Sequence, residues 1–325
     1  MKAWVRQDYG GPEQLQLQEV PVPTPGPGDV LIRVRALGIN RAETYFRRGL
    51  WGEVAKISGI ECVGEVVKDP SGCLQEGATV AAFMGGLGRT RNGSYAEFVS
   101  ARSHNVVPLK TSLPWAQLAA IPETYSTAWA CLFQEIKLAS KDIFVIRGAT
   151  SALGLASINL ARQTGTEVVA ITRSESQAAR LRELGAAHVV IESLRASEEV
   201  RRLYPNGANN VLDLVGNSTV LDSMRMVHRG GHVCGAGFLG GATPISFNLL
   251  SDVAPGVNFS FFVSILFGEP GYSLSDIPLQ SIVDDVVAGK LNAAPVCVVP
   301  FSELPQSHIL MESNRAKGKI VVSLD

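Results

Sequence analysis

The sequence predicts an α/β protein of two domains, a β-barrel-type domain and a doubly wound, parallel, six-stranded sheet with helices on its faces. Three observations carry this. Within the first hundred residues, apolar and polar positions alternate between Gly- and Pro-rich turns, as in LQLQEV (15–20) and VLIRVRA (30–36), the period of half-buried strands. From Leu113 the texture becomes helix-compatible. Residues 141–162, KDIFVIRGATSALGLASINLAR, then open a series of βα units with an apolar β-branched run, a small-residue turn and an amphipathic helix; such units argue a parallel sheet with right-handed crossovers.

The first domain reads as strands over 15–20, 30–36, 58–67, 78–83 and 95–100, with the loop 38–49 running into a short helical segment. Residues 21–28, PVPTPGPG, connect strands, since proline fixes φ and removes a ladder donor. After the turn at 148–154, strands are expected at 168–172, 188–191, 210–215, 232–237 and 257–266. A helix over 177–184 is expected to start on a capping box, Ser174 with Gln177, and to end at Gly185. A helix over 275–288 and strands over 295–300 and 319–324 return the chain to the first domain.

The turn after the first βα strand has the layout that cradles a phosphate at a helix N-terminus. The dinucleotide fingerprint asks for small residues at three points, one for the tight turn, one for backbone approach to pyrophosphate and one for helix packing. Gly148, Ser151 and Gly154 occupy them, with serine for the middle glycine and a hydroxyl that could face phosphate. Alone, this pattern suits a nucleotide turn or an ordinary Gly-rich βα loop. Where an acid would bind the ribose 2′-hydroxyl, at the end of the second strand, the chain has Thr172, Arg173 and Ser174. A guanidinium fork and a hydroxyl suit a 2′-phosphate, the alternative being a solvated surface arginine, and NADPH is expected over NADH.

Composition narrows the partners. At 325 residues and 46% hydrophobic, the chain can bury two sizeable cores. A net charge of −1 with scattered Lys and Arg gives no electrostatic footprint for nucleic acid or an anionic membrane, and no apolar run reaches the roughly 18 residues of a membrane span. Five cysteines without C-x-x-C spacing suggest free thiols and a cytoplasmic location. The five histidines lack metal-ligand spacing, and a small molecule is the expected partner. Arg47 and Arg48 are read as a solvated face or as the rim of an anion site, and Asp213 as a helix cap or a mark of the cofactor crevice.

Nearly the whole chain resembles the medium-chain dehydrogenase/reductase superfamily, in particular its zinc-free quinone oxidoreductase, zeta-crystallin-like branch. The matching segments are NRAETYFRRG (40–49), GIECVGEV (59–66), GSYAEFV (93–99), IPETYSTAWACL (121–132), GATSALGLA (148–156) and GKIV (318–321). The resemblance implies a GroES-like catalytic domain (1–123 and 266–325) around a Rossmann domain (124–265), and a homodimer paired through the last Rossmann strand. With it, Gly148, Thr150, Ser151, Ala152, Leu153 and Gly154 become the expected pyrophosphate cradle, with Arg173 and Ser174 beside the 2′-phosphate. The lysine and tyrosine that quinone oxidoreductases commonly place there correspond to Gln177 and Glu192, which leaves the phosphate to Arg173.

In the alcohol dehydrogenases of the superfamily, Cys, His and Cys hold a catalytic zinc; Asn40, Ile60 and Glu123 stand at the matching positions. An amide, an alkyl group and one carboxylate are a poor zinc set, so no metal is expected. Without a Lewis acid to stabilise an alkoxide, the better acceptors disperse the incoming charge themselves. The expected reaction is hydride transfer from NADPH to a quinone, with Asn40, Tyr45 and Thr127 as the polar groups around acceptor and nicotinamide, and Tyr125 a lesser candidate. A reductase of activated alkenes (enones or enals) and a non-catalytic NADPH-binding sensor are the alternatives.

Overall fold

The computed structural model describes residues 1–193 and 195–324. In chain order it begins with strands β1 (Lys2–Arg6), β2 (Leu15–Glu19) and β3 (Asp29–Ile39), helix α1 (Arg41–Arg47), and strands β4 (Glu61–Lys68), β5 (Thr79–Phe83), β6 (Phe98–Arg102) and β7 (Val106–Pro108). Helices α2 (Trp115–Leu118) and α3 (Pro122–Trp129) lead into β8 (Ile143–Arg147), α4 (Ala152–Gln163), β9 (Glu167–Thr172), α5 (Ala178–Glu183), β10 (Ala186–Ile191) and α6 (Ala196–Leu203). Then come β11 (Ala208–Asp213), α7 (Val220–Met226), β12 (Val227–Gly235), α8 (Leu249–Asp252), β13 (Asn258–Phe261), α9 (Leu279–Val287), β14 (Cys297–Pro300), α10 (Leu304–Glu312) and β15 (Ile320–Ser323). The chain divides into two compact units, Met1–Ser126 with Ser264–Asp325, and Thr127–Val263. Among the described residues no helix is long and apolar enough to cross a membrane.

The first unit is built on β3. One edge of β3 pairs antiparallel with β4, and the other is shared by β6, opposite residues 29–33, and by β15, opposite residues 36–39. Only Arg33 of this strand is exposed, so the alternation visible in VLIRVRA gives way to burial on both faces. Val30, Ile32, Val34, Leu37 and Ile39 join Val80, Tyr95, Val99 and Val322 in one core. Strand β15 therefore closes the unit from 280 or so residues downstream, an antiparallel pairing that local pattern cannot specify.

The second unit is an all-parallel sheet in the order β10-β9-β8-β11-β12-β13. Its central strands are buried runs, Phe144, Val145 and Ile146 on β8 and Val168 to Ile171 on β9, as expected of a sheet covered on both faces. The order reverses between β8 and β11, the switch point at which such sheets bind ligands beyond the strands' carboxyl ends. The expected strand over 257–266 is shorter: only Asn258–Phe261 pairs, and a 3₁₀ turn, Ser264–Leu266, follows. The capping box expected at Ser174 is not formed. Ser174 precedes a 3₁₀ turn, its hydroxyl meets Ser176 Oγ at 2.9 Å, and α5 starts only at Ala178.

Helix α1 is held from below by a chain of buried polar groups. Glu43 accepts from Asn40 N at 2.7 Å, Ile60 N at 2.9 Å and the Tyr95 hydroxyl at 2.9 Å. His308 Nε2 lies 2.8 Å from Tyr95 Oη, and Arg47 Nε donates to His308 Nδ1 at 3.3 Å. Since Arg47 can only donate, Nδ1 is the acceptor and the neutral imidazole carries its proton on Nε2, pointing at Tyr95. Arg47 also pairs with Glu312 at 2.6 Å and is 1% exposed, so it is a structural cation and belongs to neither a solvated face nor an anion rim. Arg48 alone is exposed there.

Burial pushes the Glu43 carboxyl up to about 7 and the His308 imidazole down to about 3. The raised acid favours folding increasingly as pH falls from about 7 toward its ordinary value of 4.5. The depressed base contributes stability that is complete above its ordinary value of 6.5 and is lost as pH falls toward about 3. Below pH 4.5 only the loss remains. The substitution His308→Gln should cost about 1–3 kcal/mol at pH 7, and the gap to the parent should narrow at pH 4 in urea denaturation; an equal gap at both pH values would contradict a neutral buried imidazole.

Candidate active site

In the first unit, candidate residues gather where β3 runs into α1. Asn40 caps α1 with extended backbone (φ −124°, ψ 149°), and Tyr45, half-buried, lies on the helix itself. Below Asn40 sits Glu61, with no solvent exposure, accepting from Lys319 Nζ at 2.5 Å, Asn40 Nδ2 at 2.8 Å and Glu123 N at 2.9 Å. Lys319 Nζ also donates to Asn40 Oδ1 at 2.8 Å. An ammonium only donates and a carboxylate only accepts, so the Asn40 amide has one possible orientation. One Nδ2 hydrogen remains for another acceptor, and Lys319 at the carbonyl end polarises the amide toward stronger donation. The cluster needs room, which Gly38 supplies: a Cβ there would stand 2.3 Å from Glu61 Oε1 and 2.6 Å from Lys319 Cε.

This donor set does not fit zinc. The Asn40 amide is committed on both sides, Ile60 packs its side chain with Phe46 and Val54, and the ammonium of Lys319 already neutralises Glu61. Among the described residues no group of three His, Cys, Asp or Glu could hold a metal ion. The Tyr125 hydroxyl donates to Asn292 O at 3.0 Å.

The second unit carries Thr127, buried at 5% exposure on α3, and the turn between β8 and α4. Gly148 has φ +86°, the left-handed conformation glycine accepts without strain. Gly154 meets the turn closely, a Cβ there standing 2.6 Å from Gly148 O, so the first and third small residues do what the fingerprint asks of them. Ser151 does something else. Its hydroxyl donates to Gly148 O at 2.9 Å and accepts from Gly154 N at 3.0 Å, an N-cap that keeps the hydroxyl inside the turn instead of facing a phosphate. Thr150 is half-buried in the turn. With Gly154 N satisfied, the amides of Ala152 and Leu153 are the orphan donors of the first turn of α4, a cradle that suits a pyrophosphate.

At the end of β9, Arg173 is exposed and Ser174 is half-buried. Asp213, at the end of β11, accepts from Val215 N, Gly216 N, Thr219 Oγ1 and Ser223 Oγ, so it caps the turn leading to α7. Sequence patterns gave no warning of Arg147, the residue before Gly148. It has no exposure, yet it pairs with Glu192 through Nε at 2.8 Å and Nη2 at 2.5 Å, with Asp222 at 2.9 Å, and with Thr219 O and Ser223 Oγ. Burial works against its charge, and the Glu192 bonds more than restore it. Glu61 and Lys319 escaped notice too, although both lie within the matched segments GIECVGEV and GKIV; they stand 258 positions apart and meet only once the intervening chain has folded.

Residues 26–111 match the family described as alcohol dehydrogenase GroES-like domain, and residues 152–267 the family described as zinc-binding dehydrogenase. Quinone oxidoreductase from Mus musculus is 29% identical over 252 residues, covering 74% of this chain and 73% of the relative. That from Lama guanicoe is 27% identical and covers 100% of this chain and 98% of the relative. Among solved structures, a Pseudomonas syringae pv. Tomato DC3000 quinone oxidoreductase superimposes with TM-score 0.86 at 25% identity, covering 99% of each chain. An NAD-dependent alcohol dehydrogenase does so with TM-score 0.84 at 27% identity over 100% of each. The GroES-like β-domain, the parallel sheet with its glycine turn and these relatives make the chain an oxidoreductase of the medium-chain dehydrogenase/reductase superfamily, in its quinone oxidoreductase branch.

Proposed function

We propose that this enzyme passes hydride from NADPH to a quinone without zinc. The observation that carries the reading is the cluster of Asn40, Glu61 and Lys319: where zinc-dependent relatives would need thiolate or imidazole ligands, this chain has a polarised amide backed by an ammonium and a buried carboxylate. Such a group can donate one hydrogen bond to a developing oxyanion but cannot bind an alkoxide as a Lewis acid. An acceptor that delocalises the incoming charge over a conjugated ring needs no more than this.

When bound, the nicotinamide supplies the hydride. The amides of Ala152 and Leu153 would hold the pyrophosphate, Gly148 and Gly154 the close backbone approach, and Thr150 the rim of the turn. Arg173 and Ser174 would take the 2′-phosphate, Arg173 as a planar two-pronged donor. Asn40 would donate its remaining Nδ2 hydrogen to the acceptor oxygen, Tyr45 would stack on the acceptor or hydrogen-bond to it, and Thr127 would face the nicotinamide. The reduced quinone can take its proton from water, so no residue has to serve as an obligatory acid.

The proposal includes a homodimer. Strand β13 is the edge of its sheet and exposes Phe259 and Phe261, at 49% and 47%, the kind of apolar edge that a soluble fold covers by pairing.

Three measurements test this reading. NADPH oxidation should be fast with an ortho-quinone and slow with an alkenal; turnover of the alkenal alone would reassign the enzyme to activated alkenes, and binding without turnover of either would make it a sensor. The substitution Arg173→Ala should weaken NADPH by roughly 10- to 100-fold, as expected for loss of a hydrogen-bonded charge, while leaving NADH nearly unchanged; equal losses would refute a phosphate contact. In gel filtration the chain should elute as a dimer, and a monomer at micromolar concentration would remove the pairing through β13.

A further inference from the structure

We infer that Glu192 sets how strongly this chain distinguishes a 2′-phosphorylated adenosine ribose from an unphosphorylated one, opposing the phosphate that Arg173 attracts while Arg147 masks part of its charge. The inference rests on the cofactor reading above and adds a residue to it whose effect has the opposite sign.

Position comes first. Glu192 follows directly on β10, and its backbone N–H donates to Thr172 O at 2.9 Å. Thr172 is the last residue of β9 and the neighbour of Arg173, so the acid and the base stand side by side where the two adjacent parallel strands end. The Glu192 side chain is 16% exposed, whereas Arg147 is fully enclosed. The guanidinium holds both carboxylate oxygens, Oε2 through Nε at 2.8 Å and Oε1 through Nη2 at 2.5 Å, yet the side chain remains open to solvent in part.

Charge counting supplies the rest. Arg147 serves Glu192 and Asp222 at once, at 2.5 and 2.9 Å, and Ser223 links it to a third carboxylate, donating to Asp213 Oδ2 at 2.6 Å. One guanidinium therefore faces three acids, and the cluster keeps an excess of negative charge. The two other acids are enclosed and further satisfied: Asp222 by Ser197 Oγ at 2.6 Å, Asp213 by the amides of Val215 and Gly216. Glu192 is the most exposed of the three, so its charge, held by a guanidinium that two further acids also draw on, is the one a dianion beside Arg173 would meet. Coulomb repulsion between two such charges near solvent is felt but screened by salt. An uncharged 2′-hydroxyl would not experience it.

The test is isothermal titration of the full chain with 2′,5′-ADP and with 5′-AMP, which differ only in the 2′-phosphate. In Glu192→Gln, which keeps the length of the side chain and an acceptor for Arg147, the preference for 2′,5′-ADP over 5′-AMP should rise about fivefold at low salt and fall back toward the parent value in 0.5 M salt. In Glu192→Asp, which keeps the charge but withdraws it from Arg147, the preference should stay at or below the parent value, and this holds as a test even if Glu192→Gln does not fold. An unchanged preference in Glu192→Gln, a rise in both variants, or equal weakening of both nucleotides would overturn the assignment. Arg173→Ala in the same assay reports separately on the cofactor reading: loss of the 2′,5′-ADP preference there, with no effect at position 192, would leave that reading standing and remove this one.

Discussion

A carboxylate sealed from water must be matched by donors, and in the first unit everything around the candidate site is arranged to match Glu61. Strand β4 brings the acid, the end of β3 brings Asn40, the start of α3 brings an amide and the start of β15 brings Lys319. Removing one partner of a buried ion pair typically costs about 3–5 kcal/mol, against a total stability of about 5–15 kcal/mol for a typical domain. The cluster is thus a condition of folding. Its geometry also decides what Asn40 can do: an amide with both ends assigned has its last hydrogen aimed by the fold, without any help from substrate.

The second unit meets a comparable constraint at Arg147. A guanidinium cannot escape burial by losing its proton, so β10, α6 and α7 converge on it with Glu192, the Ser197–Asp222 pair and Ser223. Immediately afterwards the chain turns at Gly148, and the N-terminus of α4 presents its amides. The turn is thereby seated on an ionic foundation, where the glycine pattern alone describes only its surface.

What could be read beforehand follows this division. Strand and helix identities were legible because burial leaves a periodic trace: VLIRVRA, KDIFVIR and the βα units after it declared a β-domain and a parallel sheet. Gly148 and Gly154 were legible because backbone conformation and close approach restrict residue type. Ser151 was legible as a small residue but not in its bonding, since a hydroxyl that satisfies an N-cap and one that faces a ligand leave the same letter in the sequence. Arg47 and Arg48 looked alike as neighbours, yet one is a buried strut and the other is solvated. The polar clusters of Glu61 and Lys319, of Glu43, Tyr95 and His308, and of Arg147 and Glu192 were not legible, because each joins residues from distant segments and no periodicity encodes a partner.

The distance between Glu61 and Lys319 along the chain also has a bearing on synthesis. At roughly 5–20 residues per second, the separation of 258 positions takes on the order of 13–50 s to synthesise, and for that interval a nascent first unit holds an acid whose counter-ion does not yet exist. Its antiparallel strands have time to collapse, but the cluster beneath Asn40 cannot be completed. The whole second unit emerges in the meantime and can fold on its own local contacts. The order of synthesis thus lets the inserted unit be finished first, while the outer one can be locked only when β15 docks on β3 and brings the ammonium with it.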